Sequence, residues 1–278
     1  MSNKQILSCA KHSLSYLSQV FKLPFTNNFF HNTSTGETKN IIHSFPWKNL
    51  CGYVEISMKI MKVSAPFVSS PLFRIINRSV NSGVLPTRLK YSIITPLHKK
   101  GDKNNVSNYW PISLLISFSK IFKRIIYNRL ITHITSNNIF TNSQFGFRKK
   151  SSTDKTAYKL INDILTALNG KKIVEGIFFD LEKVFDCVNH DFLSAKTEYY
   201  GIRGVMYTLI KSYLQDRYQR VKFNNKLPNW DKINIGVPQG SVLGPLFFLI
   251  YINGLPSVIP WTLSNKNPSI ILFADDTS

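Results

Sequence analysis

Cysteine is nearly missing from this 278-residue chain: only Cys9, Cys51 and Cys187 occur, scattered and odd in number. That excludes a disulfide framework, and with no Cys/His spacing of the metal-binding kind it excludes a zinc site. Long apolar runs are also lacking. The longest, VLGPLFFLIYI, is too short to cross a bilayer. The first residues, MSNKQILSCAKHSLSYLSQVF, have no sustained apolar core, so no secretory signal is expected. An intracellular protein with free thiols, in the nucleus or the cytoplasm and not secreted, is the expectation. Internal repeats and low-complexity tracts are absent.

Acidic residues are scarce. Lys and Arg number 35 against 15 Asp and Glu, a net charge of +20. From Thr87 to Lys159 fourteen basic residues face only Asp102 and Asp154, a local excess of twelve. Such an excess favours a polyanionic partner, because each neutralised phosphate releases counterions. A solubilising surface and an acidic membrane surface are the other readings. Basic residues interleaved with aromatics and turns favour nucleic acid. At 43% hydrophobic the chain has enough apolar side chain for one large core or two smaller ones.

Residues 1–52 are polar, Asn-rich and without a strong period, and read as a weakly determined extension. Residues 53–278 carry the folded pattern. Helical spacing runs over 53–81, with Pro66 near a helix start and Gly83 and Pro86 at its end. Tyr91–Leu97 reads as a strand ending in the basic turn Lys99-Lys100-Gly101-Asp102. After NYWPIS a long amphipathic helix is predicted, with Leu114, Leu115, Phe118, Ile121, Phe122, Ile125, Ile126 and Leu130 at spacings of three and four. Asn137-Asn138 ends it. A second helix spans about 156–168, capped by Thr153 or Asp154 and stopped by Gly170. VEGIFFDL reads as a buried strand. Helices follow at about 191–199 and 204–215. YQRVKFN reads as a strand, GPLFFLIYIN as a buried helix and SIILFA as a strand. The mixture predicts an α/β (α+β) fold.

Three carboxylates stand out. Asp180 ends one predicted strand, and Asp275 and Asp276 follow another. Neighbouring residues on a strand point to opposite faces, so Asp275 and Asp276 reach one place only if the pair occupies a turn. A β-hairpin with ADDT near its tip, beside the Asp180 strand, brings three carboxylates together. Their repulsion requires cations, and hard oxygen ligands favour Mg²⁺ (Mn²⁺ being the substitute). Two such ions suit an in-line phosphoryl transfer. The competing reading of the dipeptide is a solvated acidic turn. Asp186 reads as a cap for the helix or turn after CVNH. Phe185 is either core or an aromatic lying against an incoming sugar, where it would crowd a 2′-hydroxyl. GVPQGSVLGP is either an ordinary turn before a helix or a loop whose glycines admit a ligand, with Gln239 as donor and acceptor.

In order the chain presents PLHKKGD, NYWPISLL, QFGFRKKSST, FFDLEKVFDCVNH, YGIRG, SYLQDRYQRV, GVPQGSVLGPLFFLIYINGLP and LFADD. From about Tyr53 to Ser278 it resembles the reverse transcriptase domain of non-LTR (LINE-type) retrotransposons, nearest the insect Jockey-like group. The resemblance implies right-hand polymerase fingers and palm, with a mixed or antiparallel palm sheet. It implies RNA-templated DNA synthesis from dNTPs on a DNA primer, without a membrane or an obligate protein partner. It implies Asp180, Asp275 and Asp276 as catalytic ligands of two Mg²⁺ ions. Lys99, Lys100, Phe185, Gln239 and Gly240 fall at nucleotide-binding positions, Phe185 as the sugar gate. Arg148, Lys149 and Lys150 fall at template- and primer-binding positions, Arg148 being the phosphate contact. Family members carry an endonuclease domain ahead of this one.

Three departures stand out. The family pattern is NYRPISLL, and Trp110 occupies the place of an Arg that binds the triphosphate. Loss of a charge-assisted contact costs about 1.5–3 kcal/mol. Gly254 replaces an acidic residue. The chain also stops just after the carboxylate pair, so a hairpin without a return strand, an incomplete palm and a missing thumb are expected. A polymerase domain, a catalytically inactive truncated remnant that at most binds nucleic acid, a nucleic-acid binding module that keeps the basic fingers without chemistry, and an RNA-templated RNA polymerase are the readings open here.

Overall fold

A computed structural model describes residues 25–26, 30–47, 56–149, 151–181, 183–222, 227–258, 270–274 and 276–277. Helices α1 (Thr35–Ser44), α2 (Met58–Val63), α3 (Ala65–Ser82) and α4 (Ser117–Ser136) form the N-terminal part of the main core. Helices α5 (Thr153–Asn169), α6 (His190–Tyr199), α7 (Gly204–Leu214), α8 (Gly244–Ile252) and the short α9 (Leu255–Val258) follow. None of the helices among the described residues is long and apolar enough to cross a membrane.

The local rules explain most ends. Pro66 sits in the first turn of α3, and Gly83, at φ 69°, closes it by donating to the carbonyls of Ser79 and Val80. Asn137 caps α4, as its position after the amphipathic run predicts. Ser152 caps α5 by accepting from the Lys155 N–H, one residue ahead of the two predicted caps. Helix α1 lies in the stretch read as without period. Ser34 caps it, and Ile41 and Ile42 enter the core. Glu37 then holds Arg129 of α4 through two bonds of 2.6 and 2.7 Å, which lowers the Glu37 pKa.

Strands β1 (Tyr91–His98), β2 (Tyr109–Leu114), β4 (Arg217–Val221) and β5 (Asp231–Ile233) make a mixed sheet in the order β2-β1-β4-β5. Strand β2 covers YWPIS of the NYWPIS motif, to which the sequence reading gives no element, and it takes in Leu114; Leu114 and Leu115 therefore precede the helix they were expected to join, which starts at Ser117. Strand β2 lies at the sheet edge, where a residue without an N–H is tolerated. Strands β3 (Phe179–Asp180), β6 (Leu272–Phe273) and β7 (Asp276–Thr277) make a second, narrow sheet in the order β3-β7-β6. Two sequence expectations are corrected here. VEGIFFDL is not a buried strand: only Phe179 and Asp180 pair, and Ile173, Ile177, Phe178 and Phe179 are exposed. The reason is that β3 is an edge strand and, among the described residues, no layer covers it. Helix α5 likewise has no buried residue. Nor does the carboxylate hairpin lack a return strand. Asp276 and Thr277 supply it, and β7 is central, paired on both sides.

A buried clamp fixes that hairpin. Leu272 exchanges backbone bonds of 2.8 Å with Ser143 and Phe145. The Gln144 side chain, 4% exposed, accepts from the N–H of Gly146 at 2.7 Å and of Ala274 at 3.2 Å. A Cβ on Gly146 would lie 1.9 Å from the Ala274 nitrogen.

Behind the first sheet two cations are buried without an acid among the described residues. Lys123 of α4 and Arg217 of β4 are both 0% exposed and both lie over the Tyr213 ring, 5.4 and 4.9 Å from its centroid. Among the described residues the Lys123 ammonium has no hydrogen-bond partner, and desolvation, then the charge of Arg217, pushes its pKa well down.

Two stability predictions follow from this packing. Gly146→Ala forces the hairpin away from residues 143–146 and destabilises the chain by about 1–3 kcal/mol in urea unfolding. Lys123→Met removes a buried charge and stabilises by about 1–4 kcal/mol, read as a raised Tm. The pH dependence has a definite sign. The folded-state pKa of Lys123 lies below its unfolded value of about 10.4. Between the two values the unfolded chain binds the extra proton. Wild-type stability from this group therefore rises with pH across that window and levels off above it. Lys123→Met abolishes that component of the slope.

Candidate active site

Asp180 lies at the end of β3, and its backbone register partner is Asp276 of β7. Asp276 in turn pairs with Phe273 of β6. Directly opposed residues on antiparallel strands project to one face. The register thus puts Asp180 and Asp276 side by side. Ala274 takes φ 57°, the left-handed conformation that tight two-residue hairpins demand. Asp275 lies outside the described residues, and Asp276 is described by its backbone alone. The Asp180 side chain is exposed.

Phe185 occupies the loop after β3. It is half-buried between Phe147, at 5.9 Å and edge-on, and Phe248 of α8, at 5.4 Å. Both readings of this residue therefore have a physical basis, since one ring packs on the core and remains partly open. The QFGF segment and the Phe185 loop are tied together through Phe147, which is itself 47% exposed.

The GVPQG loop is zipped to the same segment. Val237 N–H donates to the Phe185 carbonyl at 2.7 Å, and Gly236 N–H donates to that of Val188 at 2.8 Å. Gly236 has φ 86°, and a Cβ there would meet Asp186 within 3 Å. His190 closes the contact with a 2.7 Å bond to the Gly236 carbonyl, and burial lowers its pKa. Gln239 links two parts of the protein. Its side-chain amide donates to the Asp186 carboxylate at 3.3 Å, and its backbone carbonyl accepts from the backbone N–H of Ser113 of β2 at 3.4 Å. Gly240, at φ 79°, faces open space.

Asp186 is not a helix cap. Asn189 caps α6 by accepting from the Phe192 N–H, because it alone stands at the position preceding the first helical turn. Desolvation raises the Asp186 pKa, and the Gln239 and Lys183 contacts offset part of that. Periodicity gave no sign of this Asp186–Gln239 link, which joins residues 53 positions apart.

The basic candidates divide. Lys99 and Lys100 are exposed at the end of β1, where the Lys99 N–H donates to Asn108 at 2.9 Å and fixes the turn. The Lys99 ammonium lies 4.7 Å from the Trp110 ring centroid. Arg148 donates to the carbonyls of Thr141 at 2.7 Å and Gln144 at 3.4 Å, so it braces its own loop. Lys149 is exposed, and Lys150 lies outside the described residues.

Residues 97–278 match the family model described as "Reverse transcriptase (RNA-dependent DNA polymerase)". The chain is 32% identical over 248 residues to the probable RNA-directed DNA polymerase from transposon BS of Drosophila melanogaster, covering 86% of this chain and 27% of that protein. It is 31% identical over 244 residues to the RNA-directed DNA polymerase from mobile element jockey of the same organism, covering 87% and 26%. It spans about a quarter of the length of these curated relatives. A chain of a solved partial Cas6-RT-Cas1–Cas2 complex superposes with a TM-score of 0.46 at 15% identity, covering 88% of this chain and 36% of its own. With the family model covering most of its length, this chain belongs to the reverse transcriptase family, as a reverse transcriptase domain of the non-LTR retrotransposon kind.

Proposed function

We propose that the chain carries out nucleotidyl transfer, extending a DNA primer on an RNA template with dNTPs inside the cell. The register of Asp180 opposite Asp276 carries this reading. In the reaction the primer 3′-oxygen forms a bond to the α-phosphorus of the dNTP. The bond from that phosphorus to the bridging oxygen breaks, and pyrophosphate leaves with the electron pair. The 3′-hydroxyl proton passes to solvent.

Asp180, Asp275 and Asp276 are the residues that would hold divalent metal, and an all-carboxylate donor set without His or Cys suits two Mg²⁺ ions. When bound, such ions supply charge neutralisation to the reacting phosphate and a more acidic 3′-hydroxyl. Phe185 presents an aromatic edge to the sugar, held by Phe147 and Phe248. Gln239 and Gly240 form the loop over the nucleotide, and Lys99 and Lys100 supply charge to the triphosphate. Lys149 and Lys150 approach the template or primer backbone, and Arg148 keeps their loop in place.

A second reading, a nucleic-acid-binding domain without chemistry, draws support from one observation. Helix α5 and residues 173–181 expose Tyr158, Ile161, Leu165, Ile173, Ile177 and Phe178, so the Asp180 strand has no covering layer among the described residues.

Primer extension on an RNA template with Mg²⁺ and dNTPs separates the two. Extension by the chain is expected to fall at least about 100-fold in Asp275→Asn and in Asp180→Asn. No extension by the parent chain, with template binding intact, supports the second reading. Within an active chain, Phe185→Val is expected to lower the preference for dNTP over rNTP by about 10- to 200-fold, measured as the ratio of kcat/KM values.

A further inference from the structure

Beneath the first sheet the core holds a cluster of polar groups that the polymerase chemistry does not use. Lys123 comes from α4, Tyr213 from α7, Arg217 from β4 and Ser92 from β1, and each is at most 1% exposed. The sheet brings two of them to one face. Ser92 registers with Gln219, and Arg217 stands two residues before Gln219, on the same side of β4. Tyr213 precedes Arg217 by four residues. The guanidinium lies over its ring, 4.9 Å from the centroid, and donates to its backbone carbonyl at 3.4 Å. Lys123 reaches the same ring from α4, at 5.4 Å. Ser119, one turn earlier on α4, donates to the Leu89 carbonyl at 3.4 Å, so this face of α4 is turned to the start of β1. Lys90, 7% exposed, adds a third positive charge near Arg217.

Among the described residues, five donor atoms of this cluster have no hydrogen-bond partner: Lys123 Nζ, Arg217 Nε and Nη2, Tyr213 Oη and Ser92 Oγ. Buried donors are ordinarily bonded and buried charges ordinarily paired. Asp216, the neighbour of Arg217, does not serve, because it is exposed and pairs outward with Lys232 at 2.7 Å. Water answers such a set poorly. Ammonium and guanidinium only donate, and water brings no charge to offset theirs. An anion accepts from all the donors at once and turns the repulsion between the cations into attraction. We propose that Lys123, Arg217, Tyr213 and Ser92 form a buried site for one small inorganic anion of the chloride or phosphate kind, held between α4, α7, β1 and β4. The ammonium and the guanidinium edge neutralise it, and the phenol and serine hydroxyls complete its shell. Every donor is sealed from solvent, so the anion is taken up with folding and stabilises the folded chain. The stabilisation expected of Lys123→Met is that of the protein without the anion. Nothing in the site depends on nucleotidyl transfer.

The test is thermal unfolding of the full chain in sodium gluconate, chloride, bromide and phosphate at one ionic strength, so that screening is constant. Gluconate is too large for a sealed site and sets the baseline. A tenfold excess of the bound anion over its Kd is expected to raise the wild-type Tm by about 3–6 °C, saturating with concentration. Lys123→Met is expected to have the higher Tm in gluconate and to lose the anion-specific rise. Tyr213→Phe keeps both charges and removes one donor, and is expected to move the midpoint of the rise to about 10-fold more anion. Crystals grown in the most stabilising anion are expected to show its density between the Lys123 ammonium and the Arg217 guanidinium, bromide by its anomalous signal. A rise with phosphate alone, or with the halides, supports the site and identifies its occupant. Equal rises in wild type and Lys123→Met overturn the proposal, as does a wild-type Tm indifferent to the anion. Density for a carboxylate of the chain itself between the two cations overturns it as well. Should Lys123→Met fail to fold, the Tyr213→Phe midpoint and the crystal density decide.

Discussion

The buried Gln144 side chain is the contact on which the carboxylate geometry depends. A hairpin with two paired positions on each strand cannot hold itself in water. Gln144 accepts from Ala274 and Gly146 together, and the backbone of residues 143–145 pairs with Leu272. The segment approaches so closely that only glycine fits at 146. A slip of one residue would undo the backbone register of Asp180 with Asp276. The QFGF motif therefore sets the register of the acidic hairpin.

Around that hairpin the site is assembled from loops that hold one another. Gly236 and Val237 donate backbone bonds to the carbonyls of Val188 and Phe185, His190 ties the two segments together, and Gln239 reaches from Asp186 to β2. Phe185 stands where these loops, the QFGF segment and α8 meet.

The large positive charge is not a uniform coat for a polyanion. Arg129 is consumed by Glu37 and Arg148 by loop carbonyls. Lys123 and Arg217 are sealed in the core beside Tyr213, where like charges without an acid oppose folding. Lys99, Lys100 and Lys149 remain at the surface. A net charge read from composition thus overstates what is available to phosphates, because burial and pairing remove members that composition counts equally.

By itself the sequence determined the family, through motifs in order, and most elements with a strong local signal. Pro66 and Gly83 bounding α3, the three-four spacing of α4 and the apolar run of α8 are local, so they survive in one dimension. The strand Leu272–Phe273 lies within the run SIILFA, so it was likewise readable. What lay beyond it was decided by partners distant in the chain. Strand β2 exists because its proline falls at a sheet edge, α1 because Arg129 and the core receive it, and Asn189 displaces Asp186 as cap because the helix starts there. The exposure of VEGIFFDL, the return strand at Asp276 and the Lys99–Trp110 pair follow the same rule. Each depends on which surfaces meet after folding. Local patterning encodes the period of a segment but carries no information on what packs against it.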